Sequence, residues 1–490
     1  MVRTLLLAAT VALIASLGSA RAQLAPTNVG APLDLPEMAL PPVMLPEPTL
    51  STQVPILAPV FPADAPPAEP ISPPKTAPAP TQTAPATPTP GACPATPAPA
   101  PADPLTVLEQ KVEALSKNLT VVTADEQIKI VLGGIINADF YYNHARPVAA
   151  GIPFFLTPRS PFGFNQDTFD ANARATTLFA AVSGPKIGDF ESGGLIAVCF
   201  FNDALIVDRY GLLPLQAYAQ LKNDDWRFAA GLQFDVFNPL NPNTLTFAYL
   251  AGSGNAGMGF PGQFRVERYL HANDNTQVTL TAALSEPIST TVNNSLQISE
   301  DNGWPNVEAR AALALGPLQG EGPLAKRPFE VGVSGLIGQI RTTDLMAGRR
   351  IVADVAGFGS DFRWAITPSF GVQGEVFVGQ TLGNYTAGIL QDVNLVTFQP
   401  IRTSGGWIEA YYYLCPEKLH THVGYGIDDP LDRDLAPGQP VRNETYFANL
   451  IWDVTKHLRL GWELTYRRTE YTILRNDDGL GFQTQVQLKF

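Results

Sequence analysis

The chain closes with Gly481-Phe482-Gln483-Thr484-Gln485-Val486-Gln487-Leu488-Lys489-Phe490, and this stretch decides the fold class. Successive side chains of a β-strand point to opposite faces. Phe482, Thr484, Val486, Leu488 and Phe490 therefore share one face, while Gln483, Gln485, Gln487 and Lys489 share the other. A helix would scatter both sets around its axis. One face suits hydrocarbon and the other suits water.

The same period of two runs back through the chain. Near its start, Gln127-Ile128-Lys129-Ile130-Val131-Leu132 sets Ile128, Ile130 and Leu132 against Gln127 and Lys129. Between the two segments, candidate strands fall near 173–183, 190–201, 214–222, 225–237, 264–272, 276–285, 305–315, 328–341, 350–366, 370–380, 404–414, 418–427, 441–453 and 457–471. With the first and last they make sixteen, an even number, as single-chain bacterial outer-membrane barrels require. Tight turns at 223–224, 273–275, 367–369, 415–417 and 454–456 alternate with longer connections at 143–172, 238–263, 286–304 and 381–403. Such barrels have short turns at one end and long loops at the other; a soluble barrel or sandwich needs no such asymmetry. The Gly/Pro-rich stretch 316–327 departs from the pattern.

Several strands also show which face meets lipid. Trp226, Phe228, Ala230, Leu232 and Phe234 oppose Arg227, Gln233 and Asp235. Leu458, Leu460, Trp462, Leu464 and Tyr466 oppose Arg459, Glu463 and Arg467, and Val307, Ala309, Ala311 and Leu313 oppose Glu308 and Arg310. An arginine facing the bilayer midplane costs about 2–4 kcal/mol, so the charged set is expected to line an aqueous interior. Trp407, Tyr411, Tyr412, Tyr413, Trp452, Tyr466 and Tyr471 are expected near the interfaces as aromatic girdles. The fold expected for 127–490 is an all-β transmembrane antiparallel barrel of about sixteen strands.

Three segments precede it. Met1–Ala22 has Arg3, an apolar core from Leu5 to Ala15 and Ala20-Arg21-Ala22, the three parts of a secretory signal peptide. Residues 23–104 hold 25 of the 45 prolines of the 490-residue chain and are expected to form a disordered arm rich in polyproline II. Leu105, Leu108, Val112, Leu115, Leu119 and Val122 are spaced 3-4-3-4-3 among polar residues, which predicts a short oligomerising coiled-coil helix over 105–123. A helix folded back on its own barrel is the alternative.

Composition excludes several functions. A net charge of −13 argues against nucleic acid, which selects a basic face. Three separated cysteines (Cys93, Cys199, Cys415) form no CxxC pair, so neither a disulfide scaffold nor a zinc site is indicated. Gly252-Ser253-Gly254-Asn255-Ala256-Gly257 fits GxGxxG, yet Gly259 and Pro261 follow and deny the helix that a dinucleotide site needs. His420 and His422 share a strand face, but two ligands without a third make a weak metal site. No catalytic residue, metal site or cofactor is expected.

With the signal peptide and the strand pattern, the terminal segment resembles Gram-negative outer-membrane porins. Phe482, Val486, Leu488 and Phe490 look like the signal that the barrel-assembly machinery reads in that family. The Leu105, Leu108, Val112, Leu115 and Leu119 seam narrows the likeness to DcaP-like trimeric porins. So do Gly231-Leu232-Gln233-Phe234-Asp235-Val236-Phe237 and Arg265-Val266-Glu267-Arg268-Tyr269. The resemblance implies a homotrimer in outer-membrane lipid, with the arm in the periplasm, passing small hydrophilic solutes; DcaP-like proteins are associated with anionic ones. A barrel anchor that tethers the membrane to the cell wall through 23–104 is the alternative.

The resemblance also implies that the third long loop, Asn238 to Gln263, narrows the lumen. It carries no Asp, Glu, Lys or Arg, so selectivity would rest on the wall. Inward basic candidates are Lys129, Arg174, Arg227, Arg265, Arg310, Arg363, Arg459 and Arg467. Acidic ones are Asp139, Asp235, Glu267, Glu308, Glu330, Asp361, Glu375, Glu409 and Glu463. The near balance gives no sign preference, and for any one of these residues pairing across strands to brace the barrel is the favoured role; arginines that hold carboxylate or phosphate leave a small-anion path open.

Overall fold

A computed structural model describes residues 120–122, 127–149, 151–201, 210–287, 303–319, 326–344, 349–394, 396–416 and 418–490. The expected signal peptide, the arm and residues 105–119 of the expected coiled coil lie outside this set.

The strands, in chain order, are β1 (Thr120–Val122), β2 (Lys129–Asn143), β3 (Thr168–Asn172), β4 (Thr177–Ile187), β5 (Phe190–Phe201), β6 (Tyr210–Lys222), β7 (Trp226–Leu232), β8 (Gly262–Asn273) and β9 (Thr276–Ser285). They continue with β10 (Asn306–Leu315), β11 (Phe329–Asp344), β12 (Arg349–Ala365), β13 (Phe370–Gln380), β14 (Arg402–Cys415), β15 (Leu419–Pro430), β16 (Pro440–Asp453), β17 (Leu458–Tyr471) and β18 (Asp477–Lys489). All neighbours are antiparallel, and β18 pairs with β2 to close the sheet. β3 pairs with Asp139–Asn143 of β2 and β4 with Lys129–Ile135, so the two are halves of one interrupted stave. β1 is a fragment that adds to β2 opposite Lys129–Val131. The barrel therefore has sixteen staves, each matching an expected strand.

Closure depends on the last residues. β18 reaches Ile135 of β2 at Lys489. Phe490 then exchanges two backbone bonds with Gly134, each of 3.0 Å. Below that point β1 takes over the same edge of β2. Thr120–Val122, expected at the end of a helix, is thus extended, because it covers an edge that β18 is too short to reach.

The faces follow the expected parity. Phe482, Val486, Leu488 and Phe490 point outward, and Gln483, Gln485 and Lys489 are buried inside. Tyr425, Tyr446 and Tyr466 are paired across β15, β16 and β17, giving an outward aromatic row with ring centroids 4.6 and 6.2 Å apart. Of the expected girdle, Tyr412, Trp452 and Tyr466 do face outward, but Trp407, Tyr411 and Tyr471 are buried. Parity explains this: Tyr412 faces out, so Tyr411 and Tyr413 must face in.

Two expectations need correction. The strand expected over 225–237 ends at Leu232. Gly231 has φ +127°, and a Cβ there would lie 2.2 Å from the Ala217 carbonyl oxygen, so the chain turns inward at a position suited to glycine. The interior is also not charged all round. Phe179, Leu195, Ala197, Phe201, Leu213, Leu215 and Ala229 of β4–β7 form an inner apolar cluster with loop residues Phe154, Ala248, Ala251, Met258 and Ile389. That arc is a packed core.

Deleting Phe490 should remove both bonds to Gly134 and cost about 1–3 kcal/mol. The folded band on detergent gels should then vanish at a lower temperature than in the full-length barrel. An unchanged transition would show that the seam does not depend on this residue.

Candidate functional site

The loop from Gln233 to Pro261 leaves β7, folds into the barrel and returns to β8. Asp235 is its one Asp, Glu, Lys, Arg or His, and most of the loop is buried. A buried amide without an acceptor costs about 1–3 kcal/mol, and the loop forms no strand ladder of its own. Some of its amides pair within the loop, as Asp235 N does with Gly259 O and Ser253 N with Leu250 O; others are satisfied by the wall.

Five carboxylates do this, one from each of five strands. Glu308 on β10 accepts Val236 N at 2.6 Å and Phe237 N at 3.1 Å. Glu375 on β13 accepts Ala256 N at 3.0 Å. Glu409 on β14 accepts both the backbone N and the side-chain Nδ2 of Asn243, each at 2.7 Å. Asp428 on β15 accepts Gly254 N at 2.9 Å and also Ile389 N, from the 381–401 connection, at 2.8 Å. Glu463 on β17 accepts Leu245 N at 2.8 Å. All five are at most 1% exposed.

Wall amides complete the seat by donating to loop carbonyls. Asn443 Nδ2 donates to Gly252 O, Asn449 Nδ2 to Asn243 O, and Gln485 Nε2 to Leu245 O, at 2.7, 2.7 and 3.0 Å. Glycine allows the backbones to touch. A Cβ on Gly254 would lie 2.1 Å from the Gly406 carbonyl oxygen of β14. The Gly-rich run at 252–257 is thus a backbone contact strip. In the second inward connection, burial pushes the Asp392 carboxyl up to about 7, opposed by hydrogen bonds from the Gly383 and Asn384 amides.

Asp139 accepts Gln483 and Gln485, and Arg467 donates to Thr465; ten other wall charges gather in three clusters nearer the short turns. Arg227 meets Glu267 at 2.6 Å, with Arg265 3.7 Å from the same oxygen. Arg310 bridges Asp361 and Glu330 at 2.5 and 3.0 Å, and Arg363 holds the other Glu330 oxygen at 3.1 Å. Asp453 takes Arg459 and Lys489, both at 2.7 Å. The clusters hold six cations and four carboxylates. Glu330 and Arg459 have side chains 25% and 23% exposed, the most open members.

The expected pore-lining set therefore divides. Arg227, Arg265, Glu267, Arg310, Arg363 and Arg459 meet in these clusters, and Lys129 is exposed at the inner, turn end of β2. Glu308 and Glu463 face inward but lie behind the loop. Asp235 lies in the loop, not on a strand, because the wall ends at Leu232. Arg174 sits in the break between β3 and β4, 3.2 Å from Asp170. Sequence reasoning counted Glu375 and Glu409 as wall acids without their task, and it missed Asp428, Asn443 and Asn449. The available signal was the pairing of an uncharged Gly/Asn loop with acids on five strands between β10 and β17.

No protein-family model matches the sequence, and no curated protein sequence matches it. Among solved structures, the outer-membrane channel DcaP of Acinetobacter baumannii is similar, with a TM-score of 0.57 at 16% identity over 76% of this chain and all of that one. OprB of Pseudomonas putida covers 75% of this chain and 95% of its own, at 9% identity and TM-score 0.47. OmpF of Salmonella typhi covers 76% and 100%, at 10% identity and TM-score 0.47. At those two scores the likeness carries no argument. What this chain shares with DcaP is its fold.

Glu308→Leu should leave the Val236 and Phe237 amides unpaired and loosen the loop by about 1–3 kcal/mol. Protease cuts within 233–261 should accelerate about tenfold or more while the barrel stays heat-resistant. Gly254→Ala should act in the same direction. An unchanged digestion pattern in both would contradict the stapled loop.

Proposed function

We propose that the chain is an outer-membrane porin that passes small hydrophilic solutes by passive diffusion and favours anions. The barrel fold, its outward apolar face and the inward loop support the channel reading. The sign preference rests on one observation: five wall carboxylates are consumed behind the loop, while the three clusters nearer the short turns hold six cations against four carboxylates, and inward Arg467 and Asp139 add one of each. Arginine binds carboxylate and phosphate through paired N–H groups, which suits small organic anions as well as chloride. Both chain ends of the barrel and its short turns share one end, which is placed in the periplasm by the usual orientation of such barrels. The arm before β1 then starts on the periplasmic side, and a homotrimer is the assembly we infer.

Refolded protein in planar bilayers should give stepwise openings, and a salt gradient should give a reversal potential of anion-selective sign. Replacing Arg227, Arg265 and Arg459 by Gln should move that potential toward cation selectivity. Silence from a demonstrably folded barrel would overturn the channel reading. Cation selectivity in the unmodified protein would overturn the preference alone.

A further inference from the structure

We propose that the outer face of β16–β18, at the long-loop end, binds the phosphate group of a membrane lipid, and that Arg442 and Arg468 recognise it. The proposal depends on the outward face of the barrel meeting lipid and not on conduction.

Strand register places the residues. Between β16 and β17, Tyr446 pairs with Tyr466, Glu444 with Arg468 and Arg442 with Glu470; Arg468 pairs in turn with Asp478 of β18. The alternate residues Asn443, Thr445, Arg467 and Thr469 are buried inside, so this set faces out. Glu444, Arg468 and Asp478 form a row one step nearer the long loops than the tyrosines. Arg442 and Glu470 form the next.

The tyrosines mark where hydrocarbon ends. The Tyr425 hydroxyl donates to Glu444 Oε1 at 3.0 Å, and the Tyr466 hydroxyl donates to Asp478 Oδ2 at 3.2 Å. The phenol tips thus reach the charged row. On the other side of the tyrosines the outward residues are apolar, among them Leu450, Leu464 and Phe482. Aromatic side chains with one wet and one apolar end collect at the membrane–water interface. Charge on the outer wall is costly within the bilayer, so the arginine rows lie level with the lipid headgroups.

The arginines keep donors for a headgroup. A guanidinium carries five N–H groups, in a fork that matches phosphate. Among the described residues Arg442 forms one ion pair, with Glu444 at 3.2 Å, and Arg468 one, with Glu470 at 2.6 Å. Their side chains are 44% and 49% exposed, so each carboxylate neutralises its arginine without covering it. Arg159 meets Asp478 at 3.4 Å, and its backbone N–H donates to Arg475 O at 3.3 Å. Asp429, opposite in sign, is exposed beside the buried Asp428. Cations and carboxylates are thus balanced across the patch, and recognition comes from directed N–H groups, not from net charge. The same abundance of charge argues against a second protein as the occupant, because charged residues are depleted at the core of a protein interface.

Native mass spectrometry of the detergent-refolded full-length chain provides the test. The probes are dioleoyl phosphatidic acid and dioleoylglycerol, which differ only in the phosphate. The unmodified chain should retain phosphatidic acid and release dioleoylglycerol. R442Q/R468Q should retain about fivefold less phosphatidic acid, as suits the loss of two exposed, individually weak charge contacts. R268Q, on the outer wall at the turn end, should match the unmodified chain. If the double variant does not refold, either single variant should show a smaller loss in the same direction. Equal retention by R442Q/R468Q and R268Q would overturn the proposal, as would equal retention of the two lipids. Retention that survives R442Q/R468Q but disappears with EDTA would assign the phosphate to a cation on the carboxylates, and would overturn the role of the arginines. A change in the mass of the assembly with unchanged lipid retention would make this face a protein contact and overturn the proposal too. Silence in bilayers would count against the channel reading and leave each of these outcomes as it stands.

Discussion

Backbone amides taken out of water must find acceptors, and the inward loop carries a series of them into the barrel. Carbonyls within the loop serve only part of the series, such as Gly259 O for Asp235 N. The wall serves others, with Glu308, Glu375, Glu409, Asp428 and Glu463 placed on strands that curve around it. Charge-assisted bonds to backbone N–H are among the stronger neutral–ionic contacts a protein makes. Among the described residues none of these carboxylates forms an ion pair with Arg or Lys, and the loop amides stabilise them instead. Loop and wall are therefore interdependent, and neither arrangement is stable in a dry interior without the other.

The loop is gripped from two sides by different physics. Toward β10–β18 the contacts are hydrogen bonds of fixed direction, which set its register residue by residue. Toward β4–β7 they are apolar: Ala248, Ala251 and Met258 pack against Phe201, Leu213 and their neighbours, and burial of such side chains contributes roughly 25 cal/mol per Å². Directional bonds specify where the loop lies, and apolar burial keeps water from competing for those bonds. The same division shapes the charge left for solutes. Acids that hold the loop are hidden, while five of the seven arginines expected to face inward stay in the clusters nearer the short turns, so the charge exposed inside the barrel differs from that of the composition.

Much of the barrel was legible because strand parity is a local rule. The alternation at Phe482–Phe490 fixed an outward face that the structure retains, and the sixteen segments match sixteen staves. Parity also separates Tyr412 from Tyr411, yet reading the three tyrosines as one girdle ignored it. What escaped were features set by distant contacts. The end of β7 depends on Gly231 meeting Ala217, a partner on another strand. The apolar inner face of β4–β7 makes sense only once Phe154, Met258 and Ile389 arrive from three loops. Glu308 and Glu463 were expected to line a pore, but whether an inward acid meets solvent or a loop amide depends on a segment far away in sequence. His420 and His422 were dismissed as metal ligands for want of a third; their actual neighbours, Glu409 and Asp453, come from β14 and β16.

Amide hydrogen exchange in the refolded barrel tests the central claim most directly. If wall carboxylates staple the loop, the amides of Val236, Phe237, Asn243, Leu245, Gly254 and Ala256 should exchange about as slowly as those of the barrel strands, although no ladder holds them. Exchange of these six at the rate of exposed loop amides would contradict the account, because the loop would then move free of the wall and its acids would be left facing the lumen.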